Sequence, residues 1–408
     1  MRGRSTRPPR TGARLPMSRA NHRPSERILV RGVNWLGDAV MTTPALLRLR
    51  EARPGAHISL LTPEKLADLW VNHPAVDAVL MFRPEEGLGK VARQLRGEGF
   101  DLGLVFPNSP RSALELWLAR VPRRVGYAAS WRRWWLTDVV APRRESSPMQ
   151  KRSIAEIRSC IRDQPMAAAG SPGRPRLEPS AHHLHHYLHL VAAVGANPEP
   201  VAPRVNPSAL EVQSVLRRFG LAGEPGAPRP LLALNPGAEY GPAKRWPLAR
   251  FAAAAAEVQD RTGCRWVVVG GPGDAALAEA VVADLRRQRG GGKAPAAVSN
   301  LAGQTTLQDL CAVLKACRVL LTNDTGPMHL AAALGTPVVV PFGSTSPELT
   351  GPGLPGDARH RLLRAPVPCA PCFRRECPID FRCMHGITVD QVVGAVLEVL
   401  DRPGAAGA

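Results

Sequence analysis

From Ile28 onward, short apolar runs alternate with stretches whose apolar residues recur at helical spacing. "ILVRG" reads as a buried strand, followed by a helix from Ala39 to Ala52. Next come "HISLLT", a helix over 63–72, "AVLMF", a helix near 89–96, and "DLGLVF". The pattern fades through "MAAAGSPGRPRLEPSAHH" (166–183), a loop or insertion rich in Pro, Gly and Ser. It resumes with "RPLLALNPG", a helix over 247–261, "RWVVVGGPGD", a helix over 275–287, "VSNLAG", and a helix near 307–316. "RVLLTND", a helix over 326–334, "TPVVVPFG" and a last helix over 389–400 complete the series. Short apolar strands alternating with helices predict parallel sheets covered on both faces, and right-handed crossovers make them doubly wound. The chain therefore divides into two similar α/β halves joined near residue 205, with a ligand cleft facing the carboxyl ends of their strands.

Composition changes this picture little. The chain has 408 residues, 44% of them hydrophobic, enough for two ordinary domains with real cores. No run of about 20 apolar residues predicts a transmembrane helix. Net charge is +19, and part of it sits in an arginine- and proline-rich segment, residues 1–26. That segment lacks apolar periodicity and the apolar centre of an export signal, so it reads as a disordered basic tail. Met17 is an alternative start within it. A cytosolic protein, peripheral at most on a membrane, is expected, with no presumption of disulfides.

A second basic cluster lies inside the fold: Arg120, Arg123, Arg124, Arg132, Arg133, Arg143, Arg144, Lys151 and Arg152, with Trp131, Trp134 and Trp135 interleaved. Its ordinary reading is solvated surface over core tryptophans. Its functional reading is an anionic membrane face or a phosphorylated acceptor. No nucleic-acid motif accompanies the charge.

Three turns, each after a strand, carry the candidate chemistry. In "RGVNWLGDAV", Gly32 and Gly37 let the backbone approach closely, while Asp38 stands at a helix start. Taken alone, Asp38 reads as a helix cap. The usual dinucleotide fingerprint is absent. In "NPGAEYGPAKRWP", Gly237, Gly241, Lys244 and Arg245 suit a pyrophosphate cradle ahead of a helix, the ordinary reading being a loop with solvated bases. In "NDTGPMHL", Asp324, Thr325 and Gly326 open a helix that carries His329 in its first turn. The amides of Thr325 and Gly326 suit phosphate oxygens, and Asp324 suits sugar hydroxyls.

Together, "NWLGDAVMTTPAL", "PGAEYGPAKRWP" and "NDTGPMHLAAALGTPVVVPFGSTSPELTGP" resemble the family 9 glycosyltransferases, the bacterial lipopolysaccharide heptosyltransferases, the second motif most of all their type II branch. The resemblance runs from about Ile28 to Leu400 and weakens between 145 and 205. It implies an α/β GT-B fold of two facing Rossmann-like domains. An acceptor domain would span 27–205 and a nucleotide-sugar domain 206–387, with a helix over 388–402 packing back on the first. It implies inverting transfer of heptose from ADP-heptose to the heptosyl-Kdo–lipid A core by a monomer at the inner face of the inner membrane, with no obligatory metal and no nucleic acid. Asp38 aligns with the family's general base, taking the acceptor hydroxyl proton. Lys244, Thr325 and Gly326 would stabilise the departing diphosphate, with Gly237 and His329 nearby. Asp324 would orient the sugar and Asp274 meet the ribose. Arg120, Arg123, Arg124, Trp134 and Trp135 would form the acceptor and membrane face. Type I heptosyltransferase activity, another surface glycan as acceptor, and non-catalytic binding of a nucleotide sugar or polyanion stay open as alternatives.

Two motifs stand apart. Cys369, Cys372, Cys377 and Cys383 have the spacing C-x2-C-x4-C-x5-C, which suits a structural zinc or iron–sulfur site or a set of packed free thiols. His182, His183, His185, His186 and His189 invite a metal reading, but a solvent-facing helix side is the ordinary account.

Overall fold

The computed structural model describes residues 26–128, 130–163, 177–223, 229–288 and 298–402; the expected basic tail, apart from Glu26, and most of the 166–183 loop lie outside them. In the first lobe, chain order is β1 (Arg27–Arg31), α1 (Leu36–Ala52), β2 (His57–Pro63), β3 (Ala78–Phe82), α2 (Leu88–Arg96), β4 (Leu102–Val105), α3 (Pro110–Leu118), β5 (Arg123–Tyr127), β6 (Asp138–Val140), α4 (Ile154–Asp163) and α5 (Leu184–Ala192). The second lobe follows with α6 (Ala209–Arg218), β7 (Leu231–Asn235), α7 (Leu248–Thr262), β8 (Arg265–Val268), α8 (Ala275–Gln288), β9 (Val298–Asn300), α9 (Leu307–Ala316) and β10 (Leu320–Thr322). It closes with α10 (Gly326–Ala333), β11 (Val338–Phe342), α11 (Pro347–Thr350), β12 (Arg361–Arg364), α12 (Arg382–His385) and α13 (Val389–Leu400).

Each lobe holds a six-stranded sheet, ordered β3-β2-β1-β4-β5-β6 and β12-β11-β10-β7-β8-β9. Every pairing is parallel, so the two-lobed doubly wound architecture expected of a GT-B fold is present. Strand order reverses between β1 and β4 in the first sheet and between β10 and β7 in the second. Such switch points leave a crevice at the strand ends. The turn after β1 and those after β7 and β10 are the three motif turns of the sequence.

The central strands are buried on both faces, which is why "ILV" and "LLAL" read as unbroken apolar runs. Helix α1 is buried almost all round from Ala39 to Leu46 although Pro44 lies inside it. A proline supplies no amide for the carbonyl four residues back. Thr43 Oγ1 donates to that carbonyl, Val40 O, at 2.8 Å, and the backbone N–H of Arg204 donates to Thr43 Oγ1 at 3.3 Å, tying the interlobe linker to the helix. The largest apolar core is continuous across the lobes, joining Ile28, Val30 and Leu46 to Ala233, Leu330 and Val340.

Two sequence expectations change. The helix over 63–72 is a 3-10 segment, Glu64–Trp70. The C-terminal helix does not return to the first lobe: α13 packs on α7 and on the β11–β12 edge of the second sheet. Its Val392, Val393, Val396 and Val399 are buried with Trp246 and Phe251, so its apolar stripe is spent on its own lobe.

Candidate active site

The three motif turns meet at the seam between the lobes, where the N-terminal parts of α1 and α10 pack against each other. A Cβ at Gly37 would lie 2.7 Å from Cδ2 of His329, and a Cβ at Gly326 would lie 2.9 Å from Cβ of Leu36. These two glycines therefore serve lobe-to-lobe contact here, a use that strand-to-helix spacing does not reveal.

Asp38 lies in the first turn of α1 but is not its cap. The N-cap position is Trp35, with no side-chain capping bond. Burial pushes the Asp38 carboxyl above its ordinary range, opposed by His183 first and Lys244 second, and reinforced by Asp324. The acid of one lobe thus shares a field with the Lys244–Asp324 pair of the other.

That pair is well built. Lys244 Nζ stands 2.6 Å from Asp324 Oδ2, with side chains 14% and 4% exposed. Thr345 Oγ1 donates to the same oxygen at 2.5 Å, and Lys244 lies 4.9 Å from the Tyr240 ring centroid. Gly241, at φ 148°, brings the turn so close to the 369–386 segment that a Cβ there would sit 2.6 Å from Arg375 O. The Ala243 N–H donates to that same carbonyl at 2.9 Å, and Tyr240 Oη donates to Phe373 O at 2.7 Å. Asn323 joins the remaining two turns: its Nδ2 donates to Pro236 O at 2.8 Å, and its Oδ1 accepts from the Trp246 N–H at 2.9 Å. Asp274 lies against this cradle, since a Cβ on Gly237 would fall 2.3 Å from its Cγ. Its carboxylate accepts from the Gly271 N–H at 3.1 Å. His329 is buried and held neutral at about 4, by burial against the pull of Asp324.

The turn bearing Asp38 is pinned from below by Arg31, which sequence reading passed over. Buried at the end of β1, Arg31 donates through Nε to Glu115 at 2.8 Å. Its Nη1 donates to Gly32 O at 2.5 Å and to Asn34 Oδ1 at 3.2 Å. Its guanidinium lies 4.4 Å from the Phe82 ring centroid.

The histidines at and before the start of α5 do not all form a solvated face. His182 is buried, with Nε2 3.0 Å from Gly351 O. His183 sits near Asp38, and His186 stacks on Tyr127 at 4.0 Å. The four-cysteine segment holds free thiols. All four cysteines line a small cavity with Ala243 and Ser344, behind the Lys244 turn. Burial pushes the Cys383 thiol up to about 12. Among the described residues no group of three or more His, Cys, Asp or Glu is arranged to hold a metal ion.

The basic cluster separates into two kinds. Arg132 is buried, its Nη1 donating to Pro107 O at 2.5 Å. Arg124 Nε donates to Trp135 O at 2.7 Å, and Trp135 packs partly buried against the core. Arg123 pairs with Asp138 at 3.4 Å. Trp131 and Trp134 stand 78% and 75% exposed, with the Arg133 guanidinium 5.7 Å from the Trp134 ring centroid. Arg120 is exposed as well. Among the described residues no helix is long and apolar enough to cross a membrane.

Known proteins are similar to this chain in sequence and fold. The family model for glycosyltransferase family 9 (heptosyltransferase) matches residues 88–381. Lipopolysaccharide heptosyltransferase 2 of Escherichia coli K12 is 30% identical over 333 residues, 80% of this chain and 85% of that one. Lipopolysaccharide heptosyltransferase 1 of Pseudomonas aeruginosa is 27% identical, across 86% of this chain and 87% of its own length. Among solved structures, the E. coli ADP-heptose lps heptosyltransferase II superposes with a TM-score of 0.71 at 26% identity, covering 92% of this chain and 98% of its own. A family 9 glycosyltransferase from Veillonella parvula superposes at 0.69 and 22% identity, covering 92% and 97%.

Proposed function

The chain belongs to glycosyltransferase family 9 and is an inverting glycosyltransferase related to the lipopolysaccharide heptosyltransferases, and on that premise we propose that it moves L-glycero-D-manno-heptose from ADP-heptose to the heptosyl-Kdo–lipid A inner core. The observation that carries this reading is the pairing of a lone acid on the first lobe with the Lys244–Asp324 pair on the second. Inverting transfer needs a base on the acceptor side and positive charge, not an acid, on the diphosphate side.

In the step itself, the acceptor oxygen attacks the anomeric carbon and the bond from that carbon to the diphosphate oxygen breaks. Asp38 takes the hydroxyl proton, and ADP leaves with the bonding electrons. Lys244 and the amides of Thr325 and Gly326 receive the growing charge. Asp324 holds Lys244 ready and faces the sugar hydroxyls. Asp274 borders the nucleoside side of the cradle, beside Gly237, and His329 stays neutral over the Gly37 backbone. Leu36 of α1 packs over Gly326 of α10. The exposed Trp131 and Trp134, with Arg133 and Arg120, form the surface that meets the anionic membrane from the cytoplasmic side.

Two assays test this. Purified protein is incubated with ADP-heptose and either Kdo–lipid A or its heptosylated form; transfer to the second and not the first supports the reading, and the reverse assigns the first heptose instead. Binding to anionic vesicles is compared for the wild type and Trp131→Ala/Trp134→Ala. A fall in the variant is expected, and unchanged binding removes the membrane face.

A further inference from the structure

Asp38 meets an acceptor hydroxyl only if the sugar that carries it lies beside the first turn of α1. The side chains flanking that turn therefore bear on which sugar settles there. Trp35 is the N-cap of α1, which makes Asp38 the third helical residue. These two positions are neighbours, close enough for their side chains to trade hydrogen bonds in a capping box. A sugar ring whose hydroxyl is within hydrogen-bond reach of Asp38 is thus within reach of the Trp35 side chain.

The indole is open to such a ring. Trp35 is 47% exposed, and Asn34 beside it is exposed too, while Leu36, Gly37 and Asp38 are partly buried. The turn thus runs from solvent at Trp35 to the seam, where Leu36 packs over Gly326. Lys65, in the 3-10 segment Glu64–Trp70, places Nζ 5.3 Å from the Trp35 ring centroid. The same Nζ is 3.8 Å from Glu239 Oε1. Glu239 belongs to the donor turn of the second lobe, next to Tyr240, whose ring centroid lies 4.9 Å from Lys244 Nζ. The indole therefore stands where the two lobes face each other, linked through Lys65 to the donor turn. Lys65 and Glu239 are both more than half exposed, and such an ion pair is weak. Lys65 can exchange Glu239 for an anionic group on an acceptor at little cost.

We propose that Trp35 is a specificity-determining residue, a platform on which the acceptor sugar stacks, with Lys65 beside it meeting an acidic group of that acceptor. A sugar ring has an apolar C–H face and a polar rim. The negative face of an indole attracts the first, and its apolar surface removes both from water. Asp38 then takes the hydroxyl and Trp35 the face of one and the same ring. The proposal rests on the reading of the chain as a transferase to the lipid A core with Asp38 as base.

The test uses Trp35→Ala, Trp35→Leu, Trp35→Phe and Lys65→Gln in the full chain. The acceptor is whichever of Kdo–lipid A and its heptosylated form the wild type uses. Initial rates at saturating ADP-heptose give kcat and the acceptor KM, and calorimetry gives the donor Kd. Trp35→Ala should raise the acceptor KM at least about tenfold, with the donor Kd and the melting temperature kept. Trp35→Leu retains an apolar side chain without the ring and should behave like Trp35→Ala. Trp35→Phe should recover part of the loss. Lys65→Gln should raise the acceptor KM a few-fold at low salt and less at high salt, because salt screens exposed charge. Should Trp35→Ala fail to fold, Trp35→Leu carries the test. An acceptor KM within about twofold of wild type in these variants overturns the platform. So does a donor Kd that weakens as much as the acceptor KM rises, which would make the indole part of the donor site. An unchanged KM in Lys65→Gln removes Lys65 from the site. A wild type that transfers heptose to neither acceptor overturns the functional reading itself, and the platform with it.

Discussion

Replacing Lys244 by methionine isolates the ion pair on which the donor side depends. Asp324 is left 4% exposed, with Thr345 still donating to its Oδ2. Removing one partner of a buried pair costs about 3–5 kcal/mol because the other charge is stranded. The retained hydroxyl keeps the stranded carboxylate partly satisfied, which puts the cost at or just below the low end of that range. A net loss of about 2–3 kcal/mol follows. At about 2–4 °C per kcal/mol for a domain of this size, the second lobe should melt roughly 4–12 °C lower. Asp324→Asn should cost less, because Lys244 at 14% exposure can turn toward water. The double variant Lys244→Met/Asp324→Asn strands no charge and should be less destabilised than the sum of the singles by at least about 1 kcal/mol. Thermal melts of all four proteins without donor, with calorimetric titration of ADP-heptose, measure both terms. Additive melting shifts would refute the pairing, and full donor affinity in Lys244→Met would refute its role at the diphosphate.

Acid should unfold the protein early. Burial holds His182 and His186 near 3 and His73, His329 and His360 near 4. The unfolded chain takes up protons below about 6.5 that the folded chain refuses, so stability is full above that pH and falls as pH drops toward 4. The loss is about 1.4 kcal/mol per group per pH unit. Urea midpoints between pH 7 and 5 should decline steeply, and a flat profile contradicts the burial of these rings. Gly37→Ala should slow transfer, because the new methyl lies 2.7 Å from His329 Cδ2 and the ring must move. A cost of about 1–3 kcal/mol is expected for the overpacking. Unchanged kinetics and melting temperature would mean the seam is looser than described.

Much of this architecture is legible in the chain because parallel central strands must be apolar throughout. "ILV", "LLAL" and "VVV" mark them without help from alternation. The edge strands β6 and β12 escape, since DVV and RLLR mix polar and apolar residues at the sheet border. Asp38, Lys244 and Asp324 stand out because each follows such a strand. What the sequence hides is which side of a helix meets the other lobe. The histidines at 182–189 look like a polar face, yet His182 is buried beside Gly351 of the second lobe and His186 stacks on Tyr127. Arg132 and Arg124 look like surface charge, yet backbone carbonyls engage them. Arg31 gives a usable signal, a charge directly after the apolar run Ile28–Val30, and its partner Glu115 lies far along the chain.

Sugar transfer depends first on the carboxylate of Asp38. In Asp38→Asn, ADP-heptose should bind within a few-fold of wild type while transfer to the acceptor falls by about 10²–10⁴. The melting temperature at neutral pH should not fall, because burial disfavours the charge that is removed. An Asp38→Asn protein that transfers the sugar at the wild-type rate would contradict the role of Asp38 as base.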